Sequence, residues 1–285
     1  MANYELINGK EISASLRKKI ADRVSAAVGE GKARPGLAVI IVGDDAASAV
    51  YVRNKHKACD DTGIYSEIIR MSGDVSESEL ISEIVCLNER EDIHGILVQL
   101  PLPRHINKEN IINAISPSKD VDAFHPVNVG KVMTGRYTFA PCTPAGIMYM
   151  LKDRGIKTDG KHCVVIGRSD IVGKPMAMLM LHSGATVTVC HSHTRDLKAI
   201  TGQADILVSA VGRAGFVTSD MVKDGAVVID VGINRLSDGS LAGDVDFENV
   251  APKCSHITPV PGGVGPMTIA MLLVNTLAAA GINVD

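Results

Sequence analysis

The stretch HCVVIGRSDIVGKPMAMLMLH, residues 162–182, decides the fold of the second half of the chain. Its first five residues form an apolar run typical of a buried strand, Gly167 ends that strand, and a helix is predicted over 173–182. The amides of such a helix N-terminus bind anions, so a dinucleotide pyrophosphate is predicted at this turn. Gly167 and Gly173 lie six residues apart, which departs from GxGxxG, and a plain strand–turn–helix remains the alternative.

Strand and helix signals alternate on both sides of this stretch. Downstream, strands are predicted over 186–190, 205–210, 226–230 and 255–260, with helices over 195–201 and 266–280. Upstream, strands are predicted over 37–42, 67–71 and 95–100, with helices over 11–28, 46–63 and 76–90. Alternation of this kind predicts mostly parallel sheets and an α/β fold. A chain of 285 residues is long enough for about two such domains.

The composition excludes several classes of protein. Hydrophobic residues are 46% and charged residues 21%, as in a packed globular chain. Aromatic residues are 3%, Trp is absent and the net charge is −3, so no nucleic-acid partner is expected. No apolar run reaches membrane-spanning length, and residues 1–10 lack the core of a signal peptide. Six scattered cysteines without a CxxC pair are typical of free thiols, and a cytoplasmic location is expected.

The end of the 186–190 strand favours one cofactor over another. Sites that prefer NAD usually carry Asp or Glu there, whereas this chain continues Cys190, His191, Ser192, His193 without a carboxylate. Hydroxyl groups and Arg168 suit a 2′-phosphate, so the pattern favours NADP. The alternative is that the two histidines are solvated loop residues. A metal ion is not predicted at this cluster, because no second pair of ligands is evident.

In the first half, polar residues occupy places where a ligand could bind. Tyr51 and Lys55 lie four apart in a predicted helix and share a face, which is either surface packing or a catalytic pair. Gln99 follows a buried strand, where open α/β sheets bind ligands, although a strand-end cap is an equal alternative. Asp120 and Asp122 suit a turn as well as a site.

A segment rich in glycine and proline, PVPGGVGPMT, covers residues 259–268. It makes a stiff turn at which a ligand ring can approach bare backbone. It lacks the GK[ST] sequence of a P-loop, and the alternative is a simple connection between strand and helix.

Taken together and in order, these segments resemble the bifunctional methylenetetrahydrofolate dehydrogenase/cyclohydrolase family. The resemblance spans nearly the whole chain and is carried by YVRNK (51–55), GILVQLPLP (95–103), KDVD (119–122), PCTP (141–144), GRS (167–169) and PGGVGPMT (261–268). One departure is Ala123, where the family often has glycine, and this could shift the local turn.

The resemblance implies two lobes with a cleft between them. Residues 1–142 would form a folate-binding, catalytic domain, on which a C-terminal helix over 272–285 packs back. Residues 143–271 would form a Rossmann-like NADP-binding domain, which usually also mediates a homodimer.

The resemblance also implies roles for individual residues. Lys55 would be the catalytic lysine, Gln99 would hydrogen-bond near it, and Asp122 would bind the amino edge of the pterin. Tyr51 would stack on the pterin, and the rest of the folate site would include Pro261, Gly262 and Gly263. The residues expected to contact NADP are Gly167, Arg168, Ser169, Ser192 and Ile233.

The implied chemistry oxidises methylenetetrahydrofolate with NADP and then hydrolyses the methenyl product to formyltetrahydrofolate. A short-chain dehydrogenase is disfavoured, because its Tyr–Lys pair follows the cofactor glycines, whereas Tyr51 and Lys55 precede Gly167. Two hypotheses stay open beside the bifunctional enzyme: a folate dehydrogenase without the hydrolase, and a non-catalytic NADP-binding protein.

Overall fold

A computed structural model describes residues 4–284. Its strands are β1 (Glu5–Leu6), β2 (Gly36–Val42), β3 (Tyr65–Met71), β4 (Gly95–Val98), β5 (His162–Ile166), β6 (Thr186–Cys190), β7 (Ile206–Ser209), β8 (Val227–Asp230), β9 (Asn234–Arg235), β10 (Leu241–Ala242) and β11 (His256–Ile257). Its helices are α1 (Gly9–Gly29), α2 (Ala46–Thr62), α3 (Glu77–Glu89), α4 (Lys108–Ala114), α5 (Pro126–Met133), α6 (Cys142–Asp153), α7 (Gly173–His182), α8 (Leu197–Thr201), α9 (Phe247–Val250) and α10 (Val264–Ala279).

The chain divides into two compact units, each named here by its larger sheet. The six-stranded unit contains the residues up to Ala14 together with Thr143–Thr268. The three-stranded unit contains Ser15–Cys142 and the residues from Ile269 onward. Residues at the start of α1 therefore cluster with the second half of the chain, whereas the predicted boundaries grouped them with the first domain.

The three-stranded unit is built on a parallel sheet in the order β3-β2-β4. The central strand β2 is buried along its whole length, as its continuous apolar sequence predicts. Gly63 ends α2 in a left-handed conformation, and Ser76 with Glu79 forms both halves of a capping box at α3. Gly63 therefore fixes the end of α2, and the capping box fixes the start of α3, the two helices whose apolar faces cover the sheet.

The six-stranded unit has a parallel sheet in the order β1-β11-β8-β7-β5-β6. From β5, the chain adds β6 on one side and then β7 on the other, so the switch point lies at the carboxyl ends of β5 and β7. The α/β fold class predicted from the sequence is confirmed.

Several predicted elements are shorter in the structure. The strand predicted over 95–100 ends at Val98, and the strand predicted over 255–260 is confined to His256–Ile257. Prolines follow both, and a proline cannot donate a ladder hydrogen bond; the Leu100–Pro101 and Val260–Pro261 peptides are cis. The helix predicted from residue 195 begins at Leu197, because Asp196 adopts a left-handed conformation with φ 50°.

Candidate active site

Lys55 and Gln99 form the centre of a polar site in the three-stranded unit. Lys55 projects from α2, and its Nζ donates a hydrogen bond of 3.1 Å to Gln99 Oε1. Gln99 follows β4 directly, where its backbone N–H still donates to Ile40 O. Its side-chain amide donates to Leu100 O at 2.7 Å, which turns Oε1 towards the lysine. Tyr51 lies one helical turn before Lys55 and is exposed.

The two aspartates of the KDVD segment have different surroundings. Asp120 is buried, and its carboxylate accepts hydrogen bonds from His125 N at 2.9 Å and Asn128 Nδ2 at 2.8 Å. It therefore holds the following loop. Asp122 is half-buried, and burial raises the pKa of its carboxyl, an effect opposed by the Lys55 ammonium. Lys55, Gln99 and Asp122 are thus brought together.

Asp122 is held in place by residues that were not predicted from the sequence. The Cys142 thiol lies 3.6 Å from Asp122 Oδ1, and burial raises the pKa of Cys142 well above its usual value. Asn275 of α10 donates to Val121 O at 2.7 Å and to Ala140 O at 2.9 Å. The thiol is a hydrogen-bond donor here, and α10 fixes the backbone beside the carboxylate.

Ala123 adopts the left-handed conformation that glycine favours, with φ 58°. Its side chain is fully buried, so surrounding packing holds the turn in this conformation. With alanine at this position, the turn therefore keeps the left-handed conformation that glycine favours.

In the six-stranded unit, the turn after β5 lies at the switch point of the sheet. Gly167 has φ 131°, and a methyl group there would lie 2.5 Å from Ala210 O, in the loop after β7. A methyl group at Gly173 would collide with the Gly167 carbonyl oxygen. The two glycines therefore allow α7 to begin against the turn, the role that glycines have in the standard fingerprint despite its different spacing. Ser169 Oγ accepts from Gly173 N at 3.3 Å.

The residues expected to select the cofactor lie at the same edge. Ile166 at the end of β5 lies opposite Cys190 at the end of β6. Arg168 and Ser192 therefore each lie two residues beyond the end of their strand. Both are exposed. A guanidinium and a hydroxyl at this edge of the sheet suit a phosphate on the adenosine ribose.

His191 and His193 belong to the loop after β6 and serve its conformation. His193 N donates to His191 Nδ1 at 3.2 Å, and the rings meet edge to face with centroids 5.8 Å apart. Within residues 4–284, no group of three or more His, Cys, Asp or Glu side chains is placed to hold a metal ion.

Ile233 and the glycine–proline segment follow β8 and β11 at the same carboxyl edge. Ile233 is exposed. Pro261 is exposed, and Gly262 has φ 104° and accepts from Lys10 N at 2.9 Å. A side chain at Gly9 would collide with Gly263 O. The segment therefore packs its bare backbone against the start of α1.

One unit of the chain has a parallel sheet with a glycine turn at its switch point, and the other unit carries a lysine, an amide and a carboxylate. This is the architecture of a dinucleotide-dependent enzyme with a second substrate. Comparison with known proteins narrows this class. Residues 7–122 match the catalytic domain, and residues 141–284 the NAD(P)-binding domain, of the tetrahydrofolate dehydrogenase/cyclohydrolase family. The chain belongs to this family.

Individual relatives cover almost the whole chain. A bifunctional protein FolD of Lysinibacillus sphaericus is 58% identical over 275 residues, which is 96% of this chain and 96% of the relative. The crystal structure of a bifunctional FolD methylenetetrahydrofolate dehydrogenase/cyclohydrolase from Campylobacter jejuni has a TM-score of 0.96 at 50% identity, with 98% and 99% of the two chains covered. The Trypanosoma brucei enzyme, complexed with NADP cofactor and inhibitor, has a TM-score of 0.93 at 39% identity, covering 98% and 97%. None of the helices formed by residues 4–284 is long and apolar enough to span a bilayer.

Proposed function

We propose that this chain oxidises methylenetetrahydrofolate to methenyltetrahydrofolate with NADP and then hydrolyses the product to formyltetrahydrofolate. The observation that carries the proposal is the hydrogen bond between Lys55 and Gln99, with Asp122 nearby. A dehydrogenase needs little more than alignment of its two substrates, whereas a hydrolase needs a group that accepts a proton from water.

In the first step, the methylene carbon loses a hydride, which the nicotinamide of NADP accepts when it is bound. The nitrogen lone pairs beside that carbon expel the hydride, so no residue acts as a strong base. The protein aligns the folate. Asp122 would accept hydrogen bonds from the amino edge of the pterin, and the exposed Tyr51 ring would stack on its face.

In the second step, water adds to the methenyl carbon, and one of its protons must leave. Lys55 would take that proton, and Gln99 Oε1 would hold its Nζ towards the carbon. The carbon–nitrogen bond then breaks as the ring nitrogen receives a proton and the hydroxyl proton of the adduct leaves to solvent, which yields the formyl group. The proton taken by Lys55 can serve this return.

The six-stranded unit would bind NADP along its carboxyl edge. The pyrophosphate would lie on the turn at Gly167 and Ser169, before the N-terminus of α7. Arg168 and Ser192 would bind the 2′-phosphate, and Ile233 would contact the nicotinamide end.

We also infer that the protein is a homodimer in the cytoplasm. β6 is an edge strand of its sheet, and among the strands of residues 4–284 none pairs with its outer side. Val189 on β6 and Leu181 on α7 are exposed, an arrangement that a second copy could cover. Val189→Lys should give a monomer in light scattering, whereas Leu241→Lys, at a residue with the same 38% exposure, should not.

The activity is tested by mixing the protein with methylenetetrahydrofolate and NADP and following NADPH and the methenyl species by absorbance. NADPH formation with methenyl hydrolysis faster than in buffer supports both steps. NADPH formation with methenyl decay at the buffer rate leaves a dehydrogenase alone and removes the role of Lys55. NADP binding without either reaction would leave a binding protein.

A further inference from the structure

Two buried carboxylates lie at the carboxyl edge of the six-stranded sheet and have no part in the proposed chemistry. Asp244 is completely buried, and Asp230, the last residue of β8, is 3% exposed. Neither was predicted from the sequence as a site residue. A buried carboxylate is costly unless it is paired or well hydrogen-bonded, so the partners of these two groups need an explanation.

Asp244 binds the loop that follows β7 through three consecutive amides. Its Oδ2 accepts from Val211 N at 2.7 Å and from Gly212 N at 3.2 Å. Its Oδ1 accepts from Arg213 N at 2.9 Å. Successive backbone N–H groups that converge on one point form an anion-binding nest. Here an internal carboxylate fills the nest.

The same carboxylate also receives side-chain donors from two neighbouring elements. Ser209 Oγ, at the end of β7, donates to Oδ2 at 3.3 Å, and Asn234 Nδ2, after β8, donates to Oδ1 at 3.1 Å. Asp230 holds Asp244 in turn, because its Oδ1 accepts from Asp244 N at 2.9 Å. A side chain at Gly232 would collide with Asp244, and one at Gly243 with Asp230.

The loop held in this way touches the turn expected to bind the pyrophosphate. Ala210 immediately precedes the three amides, its carbonyl oxygen lies against Gly167, and its own N–H donates to Ile166 O at 2.8 Å. We propose that Asp244 is a positioning residue for NADP, because its carboxylate fixes the loop 210–213 against the Gly167 turn. This inference rests on the proposed binding of NADP at that turn.

Filling the nest also determines which amides remain for the cofactor. The N–H groups of residues 211–213 are directed at Asp244 and are not available to a phosphate. The pyrophosphate is therefore directed to the Gly167 turn, where Arg168 and Ser169 are exposed. Asp244 acts through the loop and does not touch either substrate.

The test compares Asp244→Asn with Asp224→Asn, which alters an exposed aspartate of the same unit. An amide NH₂ cannot accept hydrogen bonds, so either orientation of the asparagine leaves at least two of the donors without an acceptor. NADP affinity is measured by titration calorimetry, and methenyltetrahydrofolate hydrolysis is measured without NADP. We expect Asp244→Asn to weaken NADP binding tenfold or more with hydrolysis within twofold of wild type, and Asp224→Asn to leave both unchanged.

Two results with Asp244→Asn would overturn the inference. Unchanged NADP affinity would show that the loop does not need the carboxylate, and an equal fall in affinity and hydrolysis would show a general structural role. Ser209→Ala removes one donor without disturbing the charge and should weaken NADP binding about threefold with hydrolysis intact; unchanged affinity there counts against the inference. If wild type binds NADP but does not oxidise methylenetetrahydrofolate, the proposed function fails, whereas calorimetry still decides the role of Asp244.

Discussion

Replacement of Lys55 by methionine separates the two proposed reactions. Methionine keeps the length and apolar stem of lysine but cannot take a proton. General acid–base catalysis contributes roughly 10²- to 10⁴-fold, so methenyl hydrolysis should fall at least a hundredfold, which is about 3 kcal/mol in the activation free energy. Hydride transfer needs no base, and NADPH formation should fall much less.

The stability cost of this substitution should be small enough to leave the protein folded. Lys55 is half-buried and gives Gln99 one hydrogen bond of 3.1 Å, and Gln99 keeps its bond to Leu100 O. A hydrogen bond to a charged group contributes roughly 1.5–3 kcal/mol at most, which a domain of this size tolerates. Thermal unfolding of the variant would confirm that the lost activity is chemical.

The matched control is Lys57→Met on the same helix. The Lys57 ammonium is exposed and pairs with Asp61 at 2.9 Å, a type of surface ion pair that contributes about 0–1 kcal/mol. Hydrolysis is followed as the loss of methenyl absorbance without NADP, and oxidation as the gain of NADPH. The reasoning is refuted if Lys55→Met retains more than a third of wild-type hydrolysis, or if Lys57→Met loses as much.

Three further predictions concern cofactor choice and the two titrating aspartates. Arg168→Ala should raise the KM for NADP tenfold or more and the KM for NAD little, with the exposed Lys223→Ala in the same unit as a control; equal effects on both cofactors would remove the case for 2′-phosphate binding. Burial raises the pKa of Asp122, so the carboxylate is lost at a higher pH than usual, and the KM for methylenetetrahydrofolate should rise as the solution is acidified; Asp122→Asn should show a high KM without this slope. Burial also raises the pKa of Asp230 to about 6 from 3.8, so its protonated form stabilises the fold below pH 3.8 and that contribution is lost as the pH rises through 6. The unfolding free energy of wild type relative to Asp230→Asn should fall by about 3 kcal/mol between pH 4 and pH 7 in chemical denaturation, and a constant difference would contradict this assignment.

The elements around the cofactor turn could be predicted from sequence because glycines and apolar runs define their ends. The predicted bounds of 162–166, 173–182 and 186–190 are those of β5, α7 and β6. The capping box at Ser76 is a local signal of the same kind. By contrast, α4 and α5 are only 7 and 8 residues long, too short to show a clear apolar period, and were not predicted.

The site was partly predictable, and the missing part is non-local. Strand ends identified Gln99, and helix spacing paired Tyr51 with Lys55, but their roles came from the resemblance. Asp244 looks like a turn residue in sequence, since its donors lie more than 30 positions upstream, except for Asn234. Asn275 likewise donates to Val121 O across 154 positions. No local pattern encodes such contacts.

The pairing of β1 with β11 imposes an order on folding during synthesis. Glu5 lies opposite His256, so the first strand to leave the ribosome waits for one made about 250 residues later, roughly 12–50 s at typical translation rates. The three strands of the smaller sheet, by contrast, have all been made once Val98 is added. A nascent chain arrested near residue 200 should therefore carry a formed β2-β3-β4 sheet and an N-terminal segment still open to protease, whose protection would report completion of the chain.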